Sequence, residues 1–438
     1  MLMQKNSTQR EITSLFRQEN FFPGFLSFWL LILISLLYNP AFFYAPGNPW
    51  PFYFMPQEAL AFLALALFVP GIPEKGFPFA EKRPIPLLFY GGLCIYTIFS
   101  LFHIFTDFPR HGLWNLGLLI FPPAILLFFL RQCEKLSAKL IAGAVLPFGL
   151  LNFYLIFSAN LTGHSEHIRS GITGNSNWTA AITTVTVGAF LFFLYRIFQK
   201  KCSPFKTFLL LLLPACGMIF LWKHQESLGS FLAILGTLYL LLFILIPGGK
   251  IRKIICFSSI LAGITLLLLF VHFKQDAIAD RFAADERLTL WEGTSDMILE
   301  NPIAGAGGSC CYENKFVSYK PMELFLKSHV SPRASHPHNE FLYLLASGGI
   351  LTGLPLIFLL LFPIIYLYIS YLKKKPDSWE LLIFTMYLYF ILHGQLDCFF
   401  PKYPNQLFLW MFCGYCWSRV FLQEKNKIAH SGISPEEK

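Results

Sequence analysis

Two histidines just before a long apolar run are the residues best suited to proton transfer. The sequence His-Pro-His-Asn-Glu occupies residues 336–340 and stands immediately before an apolar stretch at 341–370. An imidazole held at the mouth of a helix bundle can remove the proton of a hydroxyl group near neutral pH. We assign this task to His338, because Asn339 and Glu340 follow it and offer polar groups that orient its ring.

Three arginines suited to binding phosphate lie upstream: Arg169, Arg281 and Arg287. The planar guanidinium donates two parallel hydrogen bonds to phosphate oxygens and keeps its charge. For Arg169 and Arg281, contact with solvent or lipid headgroups is the simpler interpretation. Combined with a base, such a cation suits transfer from a diphosphate carrier, because that transition state needs charge stabilisation and removal of the acceptor proton.

A metal centre is the competing interpretation of the histidine pair. His336 and His338 form an HxH pattern, but no HExxH motif and no patterned third ligand accompany them. We therefore predict a site without a metal ion and a protein without a cofactor. His336 is interpreted as a structural histidine, whose loss should be mild.

The elements that position these residues are predicted to be membrane-spanning helices. The chain is 55% hydrophobic and 17% aromatic with 13% charged residues, outside the usual balance of soluble proteins. Apolar runs of about 18 residues or more recur along it, and each can cross a hydrocarbon layer about 30 Å thick. We predict an all-α polytopic membrane protein with a single transmembrane domain over 1–438. Its twelve spans lie near 22–39, 53–71, 85–105, 114–130, 140–158, 178–195, 207–222, 229–247, 254–272, 341–370, 379–393 and 405–422.

The distribution of basic residues predicts the orientation of these spans. With twelve spans both termini lie on one side, and that side holds 23 of the 34 Lys and Arg residues. The opposite side holds 11, of which seven lie in one long segment at 273–340, where loop length weakens the rule. We therefore expect both termini to be cytoplasmic. The net charge of +9 then reflects topology and contact with membrane lipids, and nucleic acid binding is not expected.

The segment at 273–340 is too long for a simple connection and is predicted to carry the active site on the outer face. Apolar residues near helical spacing over 285–299 predict a short helix at the membrane surface. Asn301-Pro302 should end this helix, because proline prevents its continuation. The glycines within 305–308 then permit a sharp turn or a close backbone approach to a ligand.

The cysteines favour packing over redox chemistry. Cys413 and Cys416 form a CxxC pattern inside the last predicted helix, without the strand-then-helix context of a redox motif. Cys310, Cys311 and Cys398 are predicted on the outer side. An oxidising compartment there would permit a bond from Cys398 to one of the vicinal pair.

Four ordered motifs give the sequence a family resemblance. They are Arg287-Leu-Thr-Leu-Trp291, Asn301-Pro-Ile-Ala-Gly-Ala-Gly307, His338-Asn-Glu-Phe-Leu342 and Gly349-Ile-Leu-Thr-Gly353. An upstream segment, from Arg169 through Asn177 to Ala180, adds a fifth. In this order they resemble the O-antigen ligase and polymerase superfamily of lipid-linked glycan transferases. The motifs cover roughly 165–360, and the twelve-span layout extends the resemblance to the whole chain.

The resemblance implies an all-helical, GT-C-like membrane glycosyltransferase that works without metal and inverts the anomeric centre. The residues held to be essential in the family correspond to Arg287 and His338 in this chain. Substrate contacts are expected from six further residues: Arg169, Lys223, Arg281, Trp291, Asn339 and Glu340.

One position departs from the family pattern. Many members carry Ser-Arg-Gly before the eighth span, with that Arg contacting the diphosphate, whereas residues 227–229 read Ser-Leu-Gly here. Lys223 or His224, about one helical turn upstream, or Arg169 would have to supply the charge.

The leading hypothesis is ligation of a preassembled glycan from undecaprenyl diphosphate to lipid A–core at the periplasmic face of the bacterial inner membrane. Two alternatives keep the chemistry and change the acceptor, either to a growing polysaccharide, as in an O-antigen polymerase, or to a protein, as in protein O-oligosaccharyltransferases. A transporter of lipid-linked glycans is the alternative of another class. Such a protein should place charges within its spans, and Glu58 is the main candidate.

Overall fold

A computed structural model describes the chain over residues 84–107, 122–130, 137–147, 149, 176–198, 227–246, 249, 254, 258, 265, 286–306, 312, 315–319, 336–399 and 403–431. Every regular element within these ranges is helical, in agreement with the predicted all-α class. The main helices are α1 (Pro84–Asp107), α2 (Ser176–Phe198), α3 (Leu228–Leu245), α4 (Glu286–Glu300), α5 (Glu340–Lys373), α6 (Ser378–Gly394) and α7 (Tyr403–Ser431).

Six of the predicted spans coincide with helices α1, α2, α3, α5, α6 and α7. Parts of two more are helical, at 122–130 and 138–147. The predicted spans at 22–39, 53–71 and 207–222 lie outside the described residues, as does Glu58, and only three positions of the span at 254–272 are described. The count of twelve spans therefore stays a prediction.

Two helices of the described ranges are long and apolar enough to cross a membrane, Pro84–Leu101 within α1 and the whole of α5. Shorter apolar helices occur at Ala138–Pro147, Thr179–Phe192 and Gly229–Leu245. α5 has 34 residues and would measure about 50 Å if straight, more than a hydrocarbon layer requires.

α5 is the central helix, packed against α1, α4, α6 and α7. An aromatic cluster joins it to α1 and α7: the ring centroids of Phe362 and Trp417 are 5.1 Å apart, and those of Phe89 and Trp417 are 4.7 Å apart. The indole N–H of Trp417 donates to the carbonyl oxygen of Leu359 at 2.8 Å. The indole is thus both buried and satisfied, as large aromatic residues in a core require.

The cysteines of α7 belong to this core. Cys413 and Cys416 are buried free thiols inside the helix, which confirms their assignment to packing. Cys398, between α6 and α7, is also buried. Cys310 and Cys311 lie outside the described residues, so a bond between either of them and Cys398 stays a prediction.

The predicted short helix is present as α4, and it ends before Asn301-Pro302 as the sequence predicts. Its position at the membrane surface stays a prediction. The segment 301–306 then runs along α5. Three backbone hydrogen bonds join the two: Ile350 N to Pro302 O at 2.8 Å, Leu351 N to Ile303 O at 3.1 Å and Ala306 N to Ala346 O at 2.7 Å. The glycine-rich segment therefore makes a turn and a close backbone approach to α5, while Gly307 and Gly308 lie outside the described residues.

α5 accommodates this contact by a kink at Gly349, which has φ 59° and ψ −161°. A Cβ at Gly349 would overlap the backbone of Ile303 and Gly305. Glycine is needed on both counts, because other residues avoid positive φ and carry the atom that would collide. The kink fixes α4 against α5 and thereby places the residues of α4 relative to those before α5.

Replacing Gly349 by Ala should destabilise the protein by at least about 2 kcal/mol, because the strained φ and the collision with Ile303 act together. The measurement is thermal unfolding of the purified protein in detergent. Gly91→Ala in α1 is the matched control, since a Cβ there meets nothing within 4 Å. It should be neutral or slightly stabilising. Equal melting temperatures for the two variants would contradict the described kink.

Candidate active site

The site lies where the start of α5, the end of α6 and helix α4 meet. Asn339 is the N-cap of α5, and its Oδ1 accepts a hydrogen bond from the N–H of Leu342 at 3.0 Å. His338 immediately precedes this cap and has φ 52°, the only positive φ among the described residues other than glycine. A residue with a Cβ is held there only when its neighbours determine the backbone.

Trp291 of α4 is one of those neighbours. Its indole N–H donates to the carbonyl oxygen of Pro337 at 2.8 Å. Pro337 is buried, and its ring fixes its own φ. Trp291 therefore positions the segment that carries His338, and its contact with substrate stays a prediction.

The ring of His338 is oriented by an acidic residue 59 positions later in the chain. Nδ1 of His338 lies 3.1 Å from Oδ1 of Asp397. The carboxylate is 1% exposed and the imidazole 30% exposed. Because an ionised carboxylate only accepts hydrogen bonds, Nδ1 carries the hydrogen and Nε2 keeps its lone pair. The pair presents a basic nitrogen at the partly exposed side of the ring.

Asp397 is held firmly between α6 and α7. Its Oδ1 also accepts from the N–H of Cys398 at 2.7 Å, and its own N–H donates to the carbonyl oxygen of His393 at 3.0 Å. Burial alone would raise the pKa of Asp397, but the hydrogen bond with His338 and the charges of the nearby imidazoles outweigh burial and lower the pKa. Asp397 is therefore a carboxylate at neutral pH.

Asn339 and Glu340 tie the two segments of the site together. The side-chain amide of Asn339 donates to the carbonyl oxygen of Gln395 at 3.1 Å. Oε2 of Glu340, which is buried at the start of α5, accepts from the N–H of Phe399 at 2.6 Å. The sequence assigned the orientation of the His338 ring to these two residues, and this was wrong: the ring is oriented by Asp397, while Asn339 and Glu340 hold the segment that carries it.

Arg287 lies on α4, four residues and about one turn before Trp291. Because Trp291 donates to Pro337 and Arg287 precedes Trp291 by about one turn, Arg287 lies on the part of α4 that adjoins the site. The structure thus brings Arg287 and Trp291 together with the residues around His338. Arg169, Lys223 and Arg281 lie outside the described residues, so their substrate contacts stay predictions.

Comparison with known families adds one finding. Residues 175–358 match the profile of the family described as O-antigen ligase. This match bears out the resemblance to the O-antigen ligase superfamily that the motifs predict. No curated protein matches the sequence significantly. The match identifies a glycosyltransferase-like family that is embedded in membranes, which agrees with the apolar helices of the fold.

The part of the chain that matches the O-antigen ligase family covers one side of the site and omits the other. Arg287, Trp291 and His338 lie within 175–358, whereas Asp397 lies beyond its end. The sequence analysis missed Asp397 because the motifs also end before α6. A signal was present nevertheless: Asp397 is an acidic residue directly after an apolar span at the predicted outer side.

His336 also has a larger role than the sequence indicated. It is buried, its Nδ1 accepts from the N–H of His338 at 3.4 Å, and the two ring centroids are 4.4 Å apart. Ligand atoms of His336, His338 and Asp397 lie within 4.8 Å of one another, close enough to hold a metal ion. In the observed arrangement, however, Nδ1 of His338 is engaged by Asp397 at hydrogen-bond distance.

Transfer by the purified protein should therefore survive an excess of a strong chelator, because Nδ1 of His338 is taken by a hydrogen bond to Asp397. The assay compares initial transfer rates before and after chelator treatment, with inert salt at equal ionic strength as the control. Loss of activity that a divalent cation restores would contradict this expectation and make His336, His338 and Asp397 the ligands to test.

Proposed function

We propose that this chain transfers a preassembled glycan from undecaprenyl diphosphate to an acceptor hydroxyl at the periplasmic face of the bacterial inner membrane, with lipid A–core as the acceptor. The observation that carries the proposal is the pairing of His338 with Asp397, where Trp291 of α4 holds the backbone before His338. Arg287 lies about one turn before Trp291 on the same helix. The family match over residues 175–358 supports a glycosyltransferase of the ligase or polymerase type. The geometry supports the chemistry that such a transfer requires.

The reaction needs a base for the acceptor. Nε2 of His338 takes the proton of the acceptor hydroxyl while its oxygen forms a bond to the anomeric carbon of the donor sugar. Asp397 stabilises the imidazolium that results and keeps the ring in the required tautomer. Because the attacking oxygen enters opposite to the leaving group, the anomeric centre inverts.

The leaving group needs cations. The bond between the anomeric carbon and the phosphate oxygen breaks, and its electron pair stays on undecaprenyl diphosphate. Arg287 stabilises this negative charge with the fork of its guanidinium. The resulting transfer balances without a redox partner: the acceptor gains the glycan and loses a proton, and the carrier leaves as the diphosphate.

The test is transfer by purified protein reconstituted in lipid, with an undecaprenyl-diphosphate-linked glycan as donor. Lipid A–core, the lipid-linked glycan itself and a Ser/Thr-containing protein are offered as acceptors in separate reactions. Product on lipid A–core supports ligation. Chain extension or protein glycosylation would instead assign the same chemistry to polymerisation or to protein transfer, and no product with any acceptor would contradict the proposal.

The proposed location of the site predicts the topology of the chain. Reporters fused after residue 205 or 376 should report cytoplasm, because Lys and Arg are concentrated in those loops. The fusion at 376 falls between α5 and α6, next to the exposed residues 373–375. Fusions within 310–330 should report periplasm. A cytoplasmic result for 310–330 would place the site on the wrong side of the membrane for this function.

A further inference from the structure

The carboxylate of Asp397 has hydrogen-bond partners at one oxygen and lacks them at the other. Oδ1 is paired with His338 and with the N–H of Cys398. Oδ2 is buried and has no hydrogen-bond partner within the part of the chain that the structure describes. A carboxylate oxygen that loses water without gaining a donor is costly, so Oδ2 is expected to meet a donor.

A group of matching chemistry lies one turn earlier in the chain. His393 is fully buried, and over the described ranges its Nε2 is likewise without a hydrogen-bond partner. The N–H of Asp397 donates to the carbonyl oxygen of His393 at 3.0 Å, which places both residues on one turn. The unpaired nitrogen and the unpaired oxygen complement each other if the nitrogen carries hydrogen.

The charges around His393 favour that tautomer. The negative charge of Asp397 acts on the imidazole more strongly than the positive charge of Arg287 does. His393 in turn acts on the carboxylate of Asp397. Because a carboxylate only accepts hydrogen bonds, it stabilises the tautomer of His393 that has hydrogen on Nε2.

Three hydroxyl groups, of Thr184, Ser230 and Tyr389, form a chain that holds the other nitrogen of this ring. The hydroxyl of Tyr389 lies 3.1 Å from Nδ1 of His393 and 2.7 Å from Oγ of Ser230. Oγ of Ser230 lies 3.3 Å from Oγ1 of Thr184 on α2. With hydrogen on Nε2, Nδ1 accepts from Tyr389, and Tyr389 accepts from Ser230. The hydroxyl chain then runs in one direction towards Asp397, and each hydrogen bond strengthens the next.

We propose that Nε2 of His393 donates to Oδ2 of Asp397, so that the carboxylate is held between two imidazoles. The Cβ–Cγ torsion of aspartate is soft, and a small rotation or one bridging water molecule closes this bond. His393 is then a positioning residue: it fixes the plane of the carboxylate that keeps His338 in its basic tautomer. The inference rests on the proposed function and adds a residue to it.

The first test replaces His393 by Phe and by Gln. His393→Phe removes the donor but keeps a ring against Phe399, whose centroid is 5.1 Å from that of the imidazole. It should lower kcat about 10-fold, as expected for the loss of one hydrogen bond to a charged group, and leave the donor and acceptor KM almost unchanged. His393→Gln loses the ring and keeps an N–H donor, so it should recover part of the rate. A packing role for His393 predicts the opposite order and would overturn the inference.

A double-mutant cycle tests whether His393 acts through Asp397. In Asp397→Asn the carboxylate that His393 positions is already lost, so adding His393→Phe should change kcat by less than about 2-fold. Independent effects would instead multiply and give a further loss of about 10-fold. Rates are normalised to the amount of folded protein. A multiplied loss would refute the positioning role.

Two tyrosines of α6 provide a matched pair that leaves His393 in place. Tyr389→Phe removes the hydroxyl next to Nδ1 and should lower kcat about 3-fold, the loss expected for a neutral hydrogen bond. Tyr387→Phe removes a buried hydroxyl outside the hydroxyl chain, one that donates to the carbonyl oxygen of Leu360 at 2.7 Å. It should leave kcat per folded protein unchanged. The pair decides the question if His393→Phe does not fold, because equal kcat values in the two variants would count against the inference.

Nitrogen-15 NMR of histidine-labelled protein reads the tautomer without an activity assay. The His393 signals, assigned by their loss in His393→Gln, should show hydrogen on Nε2 and none on Nδ1. In Asp397→Asn this preference should weaken, since a neutral amide attracts the hydrogen less than a carboxylate does. Hydrogen on Nδ1 in the wild type would overturn the inference, because Nε2 would then have no hydrogen to donate.

The outcomes separate this inference from the proposed function. Glycan transfer with equal kcat in the wild type and His393→Phe overturns the positioning role and leaves the proposed function in place. Hydrogen on Nε2 of His393 that depends on Asp397, in a protein that transfers no glycan, supports the pairing and contradicts the proposed function. Hydrogen on Nδ1 in a protein that transfers no glycan overturns both.

Discussion

Replacing His338 by Ala should lower the rate of glycan transfer by roughly 10²–10⁴-fold, the usual cost of removing a general base. The affinity for the lipid-linked donor should change little, because the base acts in the transition state and not in donor binding. The protein should remain folded and in the membrane. The measurement is the initial transfer rate and the donor KM of purified protein, normalised to the amount of folded protein.

Two further variants test whether the loss of rate in His338→Ala comes from the loss of a base. Asp397→Asn keeps the volume of the side chain but lets an amide face Nδ1, so the tautomer of His338 is no longer fixed and the rate should fall by about 10²-fold or more. His336→Ala should have an intermediate effect, because its buried ring supports the backbone of His338 without facing the acceptor. This revises the mild effect that the sequence alone predicts.

Near-normal transfer by a folded His338→Ala protein would show that His338 is not the general base. Equal losses at His336 and His338 would point to a shared structural or metal-binding role instead. A melting curve distinguishes both outcomes from misfolding. Because His338 contributes no apolar burial to the core, its replacement should leave the melting temperature almost unchanged.

Replacing Arg287 by Ala should both weaken donor binding and slow transfer, because the guanidinium contacts the diphosphate before and during bond cleavage. Each defect should reach about 10-fold or more, as expected when a charge-assisted contact is lost. Arg287→Lys keeps the charge and loses the planar fork. Partial recovery would indicate attraction to a point charge, and no recovery would indicate recognition by two parallel hydrogen bonds.

The control for Arg287 is another cation from the same predicted outer segment. Lys315 is exposed, so Lys315→Ala changes the net charge by the same amount away from the site. It should leave donor KM unchanged. A donor KM that is normal in Arg287→Ala, or equally raised in Lys315→Ala, would contradict a specific diphosphate contact.

Much of the fold follows from local pattern. The ends of α4 and of most apolar helices agree with prediction within a few residues, because apolar periodicity and proline act over short distances. α7 is the exception, since it continues to Ser431, nine residues beyond the predicted end at 422. The order of the motifs predicted His338 and Arg287 as the main residues of the site. Their roles remain predictions, although the structure places both at one end of the bundle.

What the sequence did not predict depends on contacts between distant segments. Asp397 was missed because it lies 59 residues from its partner and no periodicity says which loop faces which. The glycine-rich segment was predicted to form a sharp turn or to approach a ligand closely, and the sequence did not indicate that its backbone packs on the kink at Gly349. His393 was not singled out, because a histidine inside an apolar helix has no local signature of a site.

At position 338, the residue that would best stabilise the backbone differs from the residue that activity requires. A φ of 52° is one that an unconstrained histidine avoids, and that glycine or asparagine adopts more readily. A selection for heat resistance alone would therefore enrich those two residues at position 338 and discard the imidazole. Laboratory evolution for higher stability should therefore keep His338 fixed and select stabilising substitutions elsewhere, for example on exposed helix faces.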